Sequence, residues 1–119
     1  MRYMLIVWCL LSSMVVADEL DLLNAQRAKR GLHALIRDPV LEVIAEERLQ
    51  MNVERGHWGH FRKNGRLFGR FKPAIAEGCG CTTSPDKWHT CFKNTKRFER
   101  AGAAMQKVGD RFWQILLLR

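Results

Sequence analysis

Residues that can carry metal or acid/base chemistry are scarce in this chain of 119 residues and are concentrated in its middle. There are only four histidines and four cysteines, and three of each lie between His57 and Cys91. Neither a zinc-finger spacing nor an aromatic RNA-binding signature accompanies them, so no specific nucleic-acid motif is present. We therefore expect any site in the middle third, with scaffold on both sides.

Long apolar runs are also absent after the first few residues. The chain opens with a basic residue, an apolar run that ends at Leu11 and small residues before Ala17, which is the pattern of a secretory signal peptide. The run is shorter than the roughly 20 residues of a membrane-spanning helix. We predict a signal peptide over 1–17, cleaved after Ala17, and a single secreted or periplasmic domain over 18–119 without a transmembrane segment. An uncleaved membrane anchor is the alternative.

The three cysteines outside this leader are an odd number, which weakens a pure disulfide scaffold. Export would favour one disulfide, from Cys91 to Cys79 or Cys81, with one thiol left over. Alternatively, the pairs Cys79-x-Cys81 and His89-x-Cys91 offer four ligands that suit tetrahedral zinc. Three free thiols are the third possibility, and all three readings stay open at this stage.

Acidic residues are outnumbered, with 12 Asp and Glu against 20 Lys and Arg and a net charge of +8. Such a charge favours anionic partners such as acidic lipid headgroups or cell-envelope polymers, although it also keeps a small protein soluble. Basic residues alternate with phenylalanines over 61–72, a pattern suited to an acidic membrane surface or an acyl chain. A short irregular helix that ends at Pro73 is the expected structure of 62–73.

Two amphipathic helices are expected near the start of the mature chain. Asp18 can cap the first, over 19–30, and Gly31 can end it. Asp38-Pro39 begins the second, which runs to about Arg55 before Gly56. Its apolar side is expected to hold Val40, Leu41, Ile44, Ala45, Leu49 and Val53, and its polar side Glu42, Glu46, Glu47, Arg48 and Gln50.

The C-terminal part is expected to be sheet. Residues 78–85 are rich in turn-forming types, whereas 100–108 and 111–118 predict a β-hairpin around Gly109-Asp110. The second of these strands is apolar at both alternating sets of positions, which indicates a central strand covered by helices. The expected class is α+β.

A family resemblance rests on a run of residues in the first half of the chain. The run comprises Leu22, Leu23, Asn24, Arg27, Gly31, Leu35, Asp38, Pro39, Leu41, Ala45, Met51, Gly56, Gly59 and His60. It resembles the opening half of the CAP or SCP domain, which is shared by cysteine-rich secretory proteins, antigen 5 and pathogenesis-related class 1 proteins. Ala76-Glu77 and the hairpin are similar to later motifs of short bacterial members. The resemblance implies an α-β-α sandwich with two N-terminal helices and a mixed sheet.

The resemblance also implies a cleft lined by His60, Glu77 and His89, in which the two histidines would ligate a metal ion such as zinc. His57 is expected to cap the helix end or to face solvent. Related domains bind lipids or sterols, which adds a small apolar molecule as a ligand.

Three functions are compatible with these features. The first is a secreted, non-enzymatic CAP-like binding domain. The second is a metal-dependent hydrolase of cell-envelope material that uses His60, Glu77 and His89. The third is a basic polyanion-binding or antimicrobial protein driven by charge.

Overall fold

The structure, a computed structural model, describes residues 18–60 and 73–119. The elements are α1 (Glu19–Ala28), β1 (Ile36–Arg37), α2 (Pro39–Arg55), β2 (Ala76–Thr82), β3 (Arg100–Val108) and β4 (Arg111–Leu118). Helices and a mixed sheet confirm the predicted α+β class. The predicted leader lies outside the described residues, as does the short helix expected over 62–73 apart from its last residue, Pro73.

Helix α1 begins at the predicted cap and ends slightly before the predicted boundary. The Asp18 carboxylate accepts a hydrogen bond from the Asp21 amide at 3.0 Å, and the Asp21 carboxylate accepts one from the Asp18 amide at 3.4 Å. At the other end the amides of Arg30 and Gly31 donate to carbonyls three residues back, so the last turn tightens. Gly31 then has a φ of 71°, which suits glycine.

Helix α2 has the predicted bounds. The Asp38 carboxylate caps it by accepting hydrogen bonds from the amides of Val40 and Leu41, and Gly56 ends it in the left-handed conformation with a φ of 66°. The predicted division into two faces is wrong at two positions. Val40 is 51% exposed, and Arg48, assigned to the polar side, is fully buried.

The hairpin and its place in the sheet are as predicted. β3 and β4 pair in antiparallel register from Ala101 opposite Leu118 to Val108 opposite Arg111, around a turn in which Gly109 has a φ of 65°. The sheet order is β1-β3-β4-β2, with β1 parallel to β3. β4 is therefore an inner strand.

The two helices cover opposite faces of this sheet. Leu116 and Leu118 of β4 pack in one cluster with α1, whereas Ile115 and Leu117 pack in another with α2. Because successive strand residues point to opposite faces, the two clusters lie on the two sides of the sheet. The arrangement is a layered helix, sheet and helix. Within the described residues no helix combines the length and apolarity needed to cross a bilayer.

Strand β2 occupies part of the segment that was expected to form turns. Its seven residues pair with β4 along their whole length, from Ala76 opposite Leu118 to Thr82 opposite Phe112. Glycine suits this strand because a Cβ at Gly78 or Gly80 would collide with backbone oxygens of the segment 89–91. Close packing, rather than a turn, accounts for these two glycines.

Candidate metal centre

Glu77 is fully buried on strand β2, and it lies two residues before Cys79. Side chains two apart on a strand share a face. Cys79 belongs to the apolar cluster beneath α2, so this is the face that α2 covers.

An arginine of α2 neutralises this buried carboxylate. Nη2 of Arg48 lies 2.9 Å from Oε1 of Glu77, and both side chains are fully buried. Nη1 of Arg48 donates to Oδ1 of Asn52 at 2.6 Å, one helical turn further on. Burying an isolated carboxylate is costly, and this ion pair offsets part of that cost.

The same two helix residues position the histidine. The Gly59 carbonyl accepts hydrogen bonds from Nη2 of Arg48 at 3.1 Å and from Nδ2 of Asn52 at 3.2 Å. The chain after the helix is thereby folded back, and His60 follows at once. Its Nδ1 lies 3.8 Å from Oε1 of Glu77, with 42% of its side chain exposed.

Cys79 completes the group. Its thiol donates to Oε1 of Glu77 at 3.1 Å, and its Sγ lies 3.5 Å from Nδ1 of His60. Burial, followed by the negative charge of Glu77, raises the pKa of the Cys79 thiol well above its ordinary value. The thiol therefore keeps its proton unless a metal ion binds the sulfur and displaces that proton.

The three donor atoms fit a metal ion of borderline softness. They all lie within 4.8 Å of one another, and ligand atoms around tetrahedral zinc lie about 3.3 to 3.8 Å apart for bonds of about 2.0 to 2.3 Å. Oε2 of Glu77 is buried and has no hydrogen-bond partner in the described part of the chain. An imidazole nitrogen, a carboxylate and a thiolate are a donor set that zinc accepts.

The sequence-predicted cleft is only partly assembled. The structure brings His60 to Glu77, but His89 is not in the group of three donors; Cys79 stands in it instead. The amide of His89 donates to Oε1 of Gln114, and its exposed side chain lines a cavity of about 790 Å³. His57 is exposed, in line with its expected minor role.

That cavity gathers all four members of the alternative zinc set. Cys79, Cys81, His89 and Cys91 line it together with Trp58 and Trp113. Among the described residues, however, the one group of three donors within 4.8 Å is His60, Glu77 and Cys79. The cysteines are free thiols in the structure, and the disulfide from Cys91 to Cys79 or Cys81 stays a prediction.

Three residues of the centre were missed or assigned elsewhere. Arg48 and Asn52 continue the buried positions of α2, because 41, 44, 45, 48, 49 and 52 share one helical face. This periodicity is visible in the sequence. A polar residue at a position on the buried face of a helix indicates a buried polar network. Cys79 was considered only as a disulfide or cysteine-cluster residue, since β2 was expected to be a turn. In a strand, Cys79 lies on the same face as Glu77, because the two residues are two positions apart.

The fold and this group define an α+β domain with a candidate three-ligand metal centre. Comparison of the chain with protein-family models, with curated proteins and with solved structures finds no match.

Proposed function

We propose that the mature chain is a secreted or periplasmic CAP-like binding domain that holds a transition-metal ion, such as zinc, at His60, Glu77 and Cys79. One observation carries this proposal. Three donors of different chemistry, contributed by the segment that follows α2 and by β2, converge on one point. The buried Glu77 still has one carboxylate oxygen without a hydrogen bond among the described residues.

The charges around the group favour a divalent ion. A carboxylate and a thiolate would supply two negative charges, while the neutral imidazole of His60 supplies none. Arg48 offsets one of these charges, because it pairs with Glu77 at 2.9 Å. The cost of releasing the Cys79 proton would be met by the metal–thiolate bond.

The CAP-like assignment is supported by architecture and by the position of the group. The helices α1 and α2 lie on opposite faces of a mixed sheet whose inner strands are the hairpin. His60 and Glu77, the two residues that the resemblance places in a cleft, lie 3.8 Å apart. The chain departs from the resemblance at His89, whose place in the group is taken by Cys79.

A small apolar or lipid molecule is the ligand we propose for the neighbouring cavity. The cavity of about 790 Å³ has Trp58, Val108 and Trp113 in its wall and reaches Cys79. Its size is within the usual range of small-molecule sites. Quenching of tryptophan fluorescence by a fatty acid, reduced in Trp58→Phe, is the expected sign of this ligand.

The second candidate, a metal-dependent hydrolase of cell-envelope material, is favoured by the number of ligands. Catalytic zinc has three protein ligands and an open fourth position, and the group offers three. His60 is 42% exposed at its side chain, so one side of the group faces solvent. Zinc-dependent release of soluble fragments from cell-envelope material, lost in His60→Ala, distinguishes the hydrolase from a binding domain.

Metal analysis of the mature protein tests the metal site that both candidate functions require. We expect one zinc per chain after dialysis under reducing conditions, and a melting temperature that falls on chelation. His60→Ala and Cys79→Ser should each lose the metal and the response to chelation, whereas the matched variants His57→Ala and Cys81→Ser should keep both. Absence of bound zinc, together with a melting temperature unchanged by chelation, would refute the proposal.

A further inference from the structure

A second cavity, which shares no residue with the metal centre, has five Lys and Arg side chains among the fourteen residues that line it. It has a volume of about 780 Å³ and lies between the C-terminal half of α1, the segment 82–93 and the start of β4. The basic side chains in its wall are Lys29, Arg30, Lys87, Lys93 and Arg111. They come from separate parts of the sequence, so the fold rather than a local charge run brings them together.

These five cations have little compensation from acids. None of them forms an ion pair within 4.0 Å with another residue of the ranges 18–60 and 73–119. Asp86 is the single acid in the cavity wall. A hydrogen bond from the Ser84 hydroxyl lowers the pKa of Asp86, and the charges of Lys87 and Lys29 lower it further. Gathering like charges around one cavity is unfavourable, and an anion placed there would relieve the repulsion.

The wall that carries the cations is held by side chains from the scaffold. The Gln26 amide accepts from the Trp88 amide at 2.8 Å and donates to the Trp88 carbonyl at 2.9 Å. Arg27, which is fully buried, donates to the Lys93 carbonyl at 2.9 Å. Gln114, which is 1% exposed, donates to the Lys87 carbonyl at 2.5 Å and accepts from the His89 amide at 2.9 Å.

Buried and half-buried polar groups thus fix the backbone at positions 87, 88, 89 and 93. The lysines at 87 and 93 project from a backbone that is already fixed. Binding of a ligand would therefore carry little entropic cost for ordering this backbone. Thr83 adds a hydroxyl group to the same wall, whereas the Thr82 hydroxyl donates to the Ser84 carbonyl at 2.8 Å.

We propose that this cavity binds a phosphate-bearing anion. A phosphate group carries up to two charges and several acceptor oxygens, so it can engage ammonium, guanidinium and hydroxyl donors together. The phosphate could belong to a soluble compound or to the headgroup of an anionic lipid, and the chemistry of recognition is the same. The site is separate from the His60, Glu77 and Cys79 group and does not depend on the function proposed for it.

Titration calorimetry with inorganic pyrophosphate at about 0.15 M salt tests the site, because distant charges are largely screened there. The variant K29Q/K87Q removes two cations of the wall, and K96Q/K107Q removes two exposed lysines outside it, at the same net charge. Losing two charge-assisted contacts should weaken binding by about tenfold or more. The matched variant should bind within about twofold of the parent, because it keeps every wall cation and distant charges are screened. All substituted lysines are exposed, so melting temperatures should be unchanged.

Vesicles of phosphatidylcholine with and without phosphatidic acid identify the source of the phosphate. Binding that requires phosphatidic acid, is competed by pyrophosphate and is lost in K29Q/K87Q supports a lipid headgroup. Pyrophosphate binding without vesicle binding supports a soluble phosphate compound. Equal weakening in both double variants would show only a general effect of charge and would overturn the site. Absence of saturable binding to pyrophosphate and to the acidic vesicles would overturn it as well.

Discussion

Nη2 of Arg48 and Oε1 of Glu77 lie 2.9 Å apart, and both side chains are fully buried. This ion pair joins helix α2 to edge strand β2, and the same guanidinium holds the Gly59 carbonyl from which the chain continues to His60. A single buried arginine therefore contacts the carboxylate of Glu77 and also holds the chain just before His60.

Replacing Arg48 alone should be strongly destabilising. Arg48→Met would leave the Glu77 carboxylate buried without its counter-ion, a change that typically costs about 3 to 5 kcal/mol. Urea unfolding measures the loss. The double variant R48M/E77L removes both charges and should recover much of the stability. A loss below about 1 kcal/mol in Arg48→Met would contradict the importance of the pair, because such a value is typical of exposed ion pairs.

A side chain at Gly102 should lower the stability of the protein. A Cβ at this position would collide with the Leu41 carbonyl and the Glu42 amide, where the first turn of α2 rests on β3. We expect Gly102→Ala to lower the free energy of unfolding by about 1 to 3 kcal/mol through overpacking. Gly109→Asn is the control, because the hairpin turn has a φ of 65° with open space around it, and asparagine tolerates that conformation. Equal stability of Gly102→Ala and the parent would show that the helix does not rest on this strand.

Cys79 should react slowly with alkylating reagents in the folded, metal-free and reduced protein. Its thiol is buried and its pKa is raised, first by burial and then by Glu77, so the reactive thiolate is rare. Cys91 is exposed. Mass spectrometry after a short iodoacetamide pulse should find label on Cys91 well before Cys79. Unfolding in urea should remove the difference, and early labelling of Cys79 in the folded protein would contradict its placement.

Stability should fall in acid because of Asp38. Burial of this carboxylate raises its pKa, but hydrogen bonds from Arg100, the Leu41 amide and Arg119 outweigh that effect, so the pKa lies below its ordinary value. A lowered pKa in the folded state gives stability that is present above about pH 4 and lost as the pH falls further. The difference in unfolding free energy between the parent and Asp38→Asn should therefore shrink below about pH 4. Asp110→Asn, in the exposed turn, is the control, and a difference that stays constant down to pH 2 would contradict the ion pairs of Asp38.

The elements whose structure is decided by local signals could be predicted from the sequence. The carboxylates of Asp18 and Asp38 cap the two helices, and Gly109 makes the hairpin turn, as predicted. Strand β2 could not be predicted in this way, because long-range packing overrides its local preference. Gly78 suggested a turn, but the residue lies in strand β2 because the segment 89–91 passes too close for a side chain.

The candidate site was predictable only in part. His60 and Glu77 were paired through the family resemblance, and the structure places them 3.8 Å apart. The order of residues along the chain did not reveal that Cys79, rather than His89, is the third donor. That distinction depends on residues 76–82 being a strand, in which Glu77 and Cys79 share a face, whereas most of this segment was expected to form turns.

Cobalt substitution tests the central claim most directly. Co²⁺ takes up tetrahedral sites built for zinc, and a cobalt–thiolate bond gives an intense near-ultraviolet charge-transfer band. With one equivalent of Co²⁺ under reducing conditions, we predict this band in the parent, in Cys81→Ser and in Cys91→Ser, and its loss in Cys79→Ser. A band that survives in Cys79→Ser, or its absence from the folded parent protein, would contradict a metal centre at His60, Glu77 and Cys79.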